Sequence, residues 1–114
     1  MKTIDQVNLT PSQQDALKEI QRRLTGSFGI QAIHLFGSVA RGEADEESDI
    51  DLLFITERVL QRPTRHLITD MITDVNLEYD TNFSSLVVDN DSWEQGVFTV
   101  LPLKEEILRD GVTL

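Results

Sequence analysis

Apolar positions recur at helical spacing in two long segments of the chain. The first segment follows Thr10 and Pro11, and Gln13 stands where a capping box with Thr10 requires it. The second segment begins near Arg62 and runs to about Tyr79. Each pattern predicts an amphipathic helix with one buried face. The predicted buried residues are Ala16, Leu17, Ile20 and Leu24 in the first helix and Leu67, Met71, Ile72 and Val75 in the second.

Three compact apolar runs, bounded by polar or turn-forming residues, predict buried strands. They are residues 30–36, 49–56 and 83–89. A last, shorter helix is predicted to begin at Pro102 and to end at Gly111. Because helices and strands alternate, the predicted fold is α/β (α+β), a small mixed β-sheet with helices packed on it. We expect residues 1–114 to form a single domain, since no linker or repeat divides them.

Composition narrows the functional classes. The chain has 114 residues and is 39% hydrophobic, which suits a globular fold with a modest core. It carries 20 acidic against 10 basic residues, a formal net charge of −10, which disfavours direct binding to nucleic acids. Cysteine is absent, so a thiolate metal site is excluded. No apolar run is long enough to span a bilayer and the N-terminus lacks a signal-peptide core, so we expect a cytoplasmic protein without membrane contact.

Two aspartates at the start of the second predicted strand form a candidate cation site. Asp49 and Asp51 are two residues apart, so strand periodicity places both carboxylates on one face, with Cα atoms ~6.5 Å apart. Ile50 and Leu52 are expected to point the other way, into the core. Oxygen ligands suit Mg²⁺ or Mn²⁺, and such a pair can serve the metal ions used in phosphoryl transfer.

A glycine and a serine directly follow the first predicted strand. Glycine at position 37 lets the backbone approach a ligand closely, and a helix beginning at Ser38 would present free N–H groups beside the hydroxyl. These features predict a phosphate-binding turn. Such a turn beside a carboxylate pair is typical of a site for metal-bound triphosphate. Neither a P-loop motif nor a complete EF-hand loop occurs in the chain.

The stretch "LFGSVARGEADEESDIDLL", residues 35–53, is similar to the signature of the minimal nucleotidyltransferases, in the DNA polymerase beta-like superfamily. A looser similarity extends through most of the remaining chain. The resemblance implies a nucleotidyltransferase fold with Mg²⁺ (or Mn²⁺) on Asp49 and Asp51. It also implies that Gly37 and Ser38 hold the triphosphate of ATP, which is the substrate.

The same resemblance implies a reaction and a partner. Small members of the family act as antitoxins beside a HEPN-domain toxin, and some transfer AMP from ATP to a tyrosine hydroxyl of that toxin. We therefore expect a nucleotidyltransferase that acts as an antitoxin in a toxin–antitoxin system, in a homo- or hetero-oligomer. The alternative is a catalytically reduced antitoxin that keeps the fold and neutralises its partner by binding alone.

Two assignments stay open at the level of the sequence. The family uses a third carboxylate on a later strand, and Asp80, Glu78 or no residue fills that role here, because Asn82 falls near the acidic position. Asp80 is the candidate for the catalytic set, with a turn residue as its alternative. Arg41 either contacts the triphosphate or pairs with the acidic loop at residues 43–47.

Overall fold

Four strands form one mixed sheet. The computed structural model describes residues 3–43 and 48–114. The strands are β1 (Ile30–Phe36), β2 (Ile50–Thr56), β3 (Phe83–Asp89) and β4 (Val112–Thr113). Their order in the sheet is β3-β2-β1-β4, with β1 antiparallel to β2 and β4, and with β2 parallel to β3. The predicted mixed sheet is confirmed.

In the described ranges, five α-helices and two short 3-10 turns connect or cover these strands. The helices are α1 (Pro11–Leu24), α2 (Ser38–Arg41), α3 (Arg62–Tyr79), α4 (Asn90–Gln95) and α5 (Pro102–Asp110). The 3-10 turns are Ile4–Gln6 and Val97–Thr99. Among the described residues, no helix combines the length and the apolar character needed to cross a membrane. Residues 44–47 of the acidic loop lie outside the described part of the chain.

Helix α1 forms where its capping sequence predicts it. The Thr10 hydroxyl accepts a hydrogen bond from the Gln13 amide at 3.1 Å, and the Gln13 side chain accepts one from the Thr10 amide at 2.9 Å. This reciprocal pair satisfies two donors that the first turn leaves free, and Pro11 supplies a residue that needs no donor there. All four predicted face residues are buried, namely Ala16, Leu17, Ile20 and Leu24.

Helix α3 is the crossover that makes the parallel β2–β3 pair possible. It begins and ends at the predicted residues, but one predicted core position is wrong. Leu67 is 56% exposed, and Ile68 is buried in its place with Ile72 and Val75. The spacing of these three residues gives the helix a narrower buried stripe than the apolar pattern alone indicates. Met71 packs at the margin of the core.

Strand β2 is buried on both faces, and this arrangement decides where polar side chains can emerge. Ile50, Leu52 and Phe54 pack in the apolar cluster formed with α1 and α3. Leu53 and Ile55 pack on the opposite face, in a second cluster to which α4 and α5 contribute. The two predicted inward residues, Ile50 and Leu52, are fully buried. A carboxylate on β2 can therefore reach solvent only at the beginning of the strand.

Candidate functional site

The end of β1 lies against the beginning of β2. Phe36, the last residue of β1, pairs with Asp51, so Gly37 follows directly beside that aspartate. Gly37 has φ 80° and ψ −158°, a backbone conformation that L-residues rarely adopt. A Cβ atom at Gly37 would fall on Oδ2 of Asp51 and lie 3.3 Å from its Cγ. Both the backbone conformation and the contact with Asp51 therefore require glycine at this position.

Strand β3 and Asn82, the residue before it, supply a neutral hydrogen-bond donor to each aspartate. Ser84 pairs with Asp51 in the parallel register, and its hydroxyl donates to Asp51 Oδ1 at 2.6 Å. The side-chain amide of Asn82 likewise donates to Asp49 Oδ1. Each donor lies 33 residues after its acceptor, so the two-residue spacing of the aspartates is repeated on the neighbouring strand. That repeated polar spacing is the signal by which the sequence could have identified Ser84 as a partner of Asp51.

The aspartate pair has the composition of a hard-cation site. Asp51 is half-buried, Asp49 is exposed, and the buried Ile50 separates them along the chain. Among the described residues, no lysine or arginine forms an ion pair with either aspartate. Carboxylate and hydroxyl oxygens are donors that Mg²⁺ accepts. Within the described ranges, no three acidic or histidine side chains cluster to hold a metal, so the described part of the site offers two carboxylates.

Ser38 begins α2 immediately after Gly37, as predicted. The helix has only four residues, and its buried Val39 and Ala40 hold it against the core. The Ser38 carbonyl accepts a hydrogen bond from the Glu43 amide at 2.9 Å, which closes the turn. The Gly37–Ser38 segment is therefore anchored by packing on one side and lies next to Asp51 on the other.

Arg41 is held by two carboxylates in this structure. Its guanidinium lies 3.1 Å from Glu43 Oε2 and 2.9 Å from Glu106 Oε1, so it links α2 to α5. The hydrogen bond that Arg41 donates to the Glu43 carboxylate is the main cause of a raised pKa for Arg41. Of the two roles open from the sequence, pairing with the acidic loop is the one observed here. A contact with triphosphate would require Arg41 to release these partners.

Among the described residues, neither candidate third carboxylate joins the aspartate pair in a cluster of three. Asp80 caps the end of α3 in the left-handed conformation, with φ 54°, and is exposed. Its carboxylate makes no hydrogen bond or ion pair with the residues that the structure describes. Glu78 points to α1, where its Oε2 lies 3.3 Å from Arg23. The side chains that do contact the aspartates are those of Asn82 and Ser84.

His34 is a buried polar residue on the same face of β1 as Phe36. Its Nδ1 lies 3.3 Å from the Thr113 hydroxyl on β4, and the residue is only 9% exposed. Burial lowers the pKa of His34, because the charged imidazolium loses its solvation. We assign His34 a packing role between β1 and β4.

Comparison with known proteins finds a family model that matches most of the chain. The model of the family described as polymerase beta nucleotidyltransferase matches residues 18–113 of the chain. The match includes β1, α2 and β2, and therefore both aspartates and the Gly37–Ser38 turn.

Curated relatives match shorter parts of the chain. A Methanocaldococcus jannaschii protein, provisionally named a protein adenylyltransferase, is 36% identical over 77 residues, which is 64% of this chain and 52% of that protein. The protein adenylyltransferase MntA of Thermococcus cleftensis is 45% identical over 42 residues, 37% of this chain and 38% of MntA. The chain thus spans about half the length of the first of these relatives and less of the second.

Solved structures share the fold at low sequence identity. A protein of Sulfolobus solfataricus, provisionally named a nucleotidyltransferase, has a TM-score of 0.57 at 22% identity, over 87% of this chain and 76% of that one. The Shewanella oneidensis complex of a tri-AMPylated HEPN toxin with an MNT antitoxin contains a chain with a TM-score of 0.52 at 20% identity, over 90% of this chain and 70% of that one. These likenesses establish the nucleotidyltransferase fold. Since the family model covers most of the residues, the chain belongs to the polymerase beta nucleotidyltransferase family.

Proposed function

We propose that this chain binds ATP with a divalent cation and transfers AMP to a hydroxyl group of a protein partner. The observation that carries the proposal is the contact between Gly37 and Asp51. At that contact a glycine turn, whose backbone can closely approach a phosphate ligand, adjoins an aspartate pair that no described basic side chain neutralises.

Asp49 and Asp51 are the residues that would hold the cation, Mg²⁺ or Mn²⁺. Such a cation neutralises negative charge that develops on the phosphates during transfer. The amide of Asn82 and the hydroxyl of Ser84 fix the direction of the two carboxylates, and the Ser38 hydroxyl and the Gly37 backbone would bind phosphate oxygens. Preorganised polar groups of this kind lower the reorganisation that the reaction requires.

The proposed reaction is a displacement at the α-phosphorus of ATP. The hydroxyl oxygen of the acceptor bonds to that phosphorus, the bond to the bridging oxygen breaks, and pyrophosphate leaves. The hydroxyl proton passes to solvent, because Asn82 and Ser84 are neutral and no third described carboxylate adjoins the pair.

A HEPN-type toxin is the proposed acceptor, with a tyrosine hydroxyl as the modified group, so the chain would act as an antitoxin. Two observations support this choice. Relatives in sequence are named protein adenylyltransferases, and relatives in fold were solved as toxin–antitoxin complexes. A net charge of −10 also suits a basic, RNA-binding partner.

A second candidate function is neutralisation of the toxin by binding alone. The neutral Ser84 opposite Asp51 favours it, because a carboxylate at that position would be the one placed to accept the hydroxyl proton. In this case the aspartate pair would bind metal and nucleotide without efficient transfer.

The experiment compares wild type with Asp51→Asn and with Asp70→Asn, an exposed acid on α3 that serves as control. Melting temperatures are measured with and without Mg-ATP. Transfer to a HEPN-domain toxin encoded beside the gene is measured with ATP radiolabelled on the α-phosphate. We expect Mg-ATP to stabilise wild type and Asp70→Asn but not Asp51→Asn, with label transferred by the first two proteins.

The outcomes separate the two candidates. Stabilisation by Mg-ATP in wild type without any label transfer, together with joint elution of the two proteins, would select the binding-only antitoxin. Equal stabilisation of wild type and Asp51→Asn would contradict the metal site itself.

A further inference from the structure

The outer edge of β3 presents backbone groups that the sheet does not use. β3 is the terminal strand on one side of the described sheet. At its first residue, Phe83, the outward backbone groups bond to the side chain of Asn76 on α3. The backbone N–H of Phe83 donates to Asn76 Oδ1 at 2.8 Å, and the side-chain amide of Asn76 donates to the Phe83 carbonyl at 2.9 Å. Because strand residues alternate, the amide and carbonyl groups of Ser85 and Val87 point to the same side.

These outward groups lie in a groove of about 320 Å³ between β3 and the first half of α3. The floor of the groove is formed by Ser85, Leu86 and Val87. Its wall is formed by exposed polar and basic side chains of α3, namely Arg62, Arg65, His66 and Thr69. The groove therefore combines an open strand edge with a basic wall.

The arginines of this wall, like Arg58, differ from the other described arginines in their ion pairing. The described arginines at positions 22, 23, 41 and 109 each form an ion pair with a carboxylate. Within the described parts of the chain, Arg62 and Arg65 form none. They are three residues apart on a helix, so they project from neighbouring positions of one face. In a chain of net charge −10, this wall is a local basic surface.

We propose that an extended acidic segment of a partner protein binds in this groove as a fifth strand on β3. The main chain of the segment would hydrogen bond to the outward groups of Ser85 and Val87, as in other cases of strand addition. Its alternate carboxylates would pair with Arg62 and Arg65, whose planar guanidinium groups bind carboxylates with two parallel hydrogen bonds.

An acidic protein segment fits this groove better than a nucleic acid does. The overall negative charge of the chain repels a phosphate backbone. The lining of the groove also contains no Phe, Tyr or Trp side chain on which single-stranded bases could stack, and its one ring is that of His66.

The groove is separate from the candidate nucleotide site. Ser84 and Asp51 face the side of the sheet that α4 and α5 cover, whereas the side chains of Ser85 and Val87 alternate to the α3 side. Variants in the groove therefore leave Gly37 and the two aspartates unchanged.

The test measures binding of a fluorescent peptide of alternating Glu and Val residues by anisotropy. The Arg62→Gln/Arg65→Gln variant removes the basic wall, and Val87→Pro removes an outward amide that the sheet does not use. The matched control is Arg22→Gln/Arg109→Gln, which makes the same change in net charge at two exposed arginines elsewhere. We expect each groove variant to weaken binding about tenfold and the control to stay within about twofold.

Three results would overturn the proposal. They are equal affinity for a Lys-Val peptide, unchanged affinity in Val87→Pro, and tighter binding of an oligothymidylate than of the acidic peptide. If Val87→Pro does not fold, amide hydrogen exchange in wild type replaces it. Peptide binding must then slow exchange at Ser85 and Val87, and unchanged exchange at both residues would equally contradict strand addition.

Discussion

The hydroxyl of Ser84 donates a hydrogen bond of 2.6 Å to Oδ1 of Asp51, across the parallel pair of β2 and β3. This contact places a neutral donor beside the half-buried aspartate. It fixes the direction of one carboxylate oxygen, while Oδ2 of Asp51 lies against Gly37. Because serine is neutral, Ser84 adds no negative charge beside the two aspartates and so no further repulsion when no cation is bound.

Ser84→Asp should convert the site into a three-carboxylate cluster. We expect lower thermal stability without metal, because like charges are brought together, and a larger rise in melting temperature on adding Mg²⁺ than in wild type. Ser84→Ala is the control, since it loses the hydrogen bond, at a cost of about 1 kcal/mol, without adding charge. Identical Mg²⁺-induced shifts in the two variants would show that position 84 does not face the cation site.

Gly37→Ala should damage the site more than an alanine at another left-handed glycine. We expect a loss of stability of about 1–3 kcal/mol from backbone strain and abolition of stabilisation by Mg-ATP, because the added Cβ displaces Asp51. Gly26 also has a φ of 80°, with no atom within 4 Å of an added Cβ, so Gly26→Ala measures the cost of a positive φ without a clash. Chemical denaturation and Mg-ATP melts of both variants provide the measurement. Retained Mg-ATP stabilisation in Gly37→Ala would contradict the role of the Gly37 contact.

Asp80→Asn should leave both Mg-ATP binding and AMP transfer within about twofold of wild type. Asp80 is exposed at the end of α3, and asparagine adopts its left-handed conformation as readily as aspartate does. Label transfer to the toxin and Mg-ATP melts measure the two effects. A fall in transfer of about 10²–10⁴-fold, with binding retained, would instead identify Asp80 as the general base.

The pH dependence of stability should include a contribution from His34. Burial holds its pKa below the ordinary value of 6.5, so the unfolded chain binds a proton more readily than the folded one does. The stability that the neutral imidazole of His34 contributes is fully present above pH 6.5. The free energy of unfolding should fall as the pH decreases below 6.5, because protonation then favours the unfolded chain. Urea denaturation at several pH values between about 5 and 8 measures the slope, which His34→Gln should reduce. An unchanged slope in that variant would contradict a buried neutral imidazole.

Local sequence determined the elements that depend on neighbours along the chain. The capping box of Thr10 and Gln13 specified the beginning of α1, and apolar runs located the three long strands, with β2 beginning one residue later than predicted. Two-residue periodicity also identified Asp49 and Asp51 as outward residues around the buried Ile50. These features follow from backbone geometry over a few residues, so no distant contact is needed to predict them.

The tertiary structure decided every feature that depends on pairing between distant segments. Ser84 meets Asp51 only because the parallel register joins residues 33 positions apart, and the two-residue strand β4 exists only because β1 offers it an edge. Packing across the fold likewise determined that Ile68 is buried rather than Leu67. It also determined that Arg41 pairs with Glu106 on α5. Periodicity gives the face on which a side chain lies, but the element that packs against that face is set by long-range contacts.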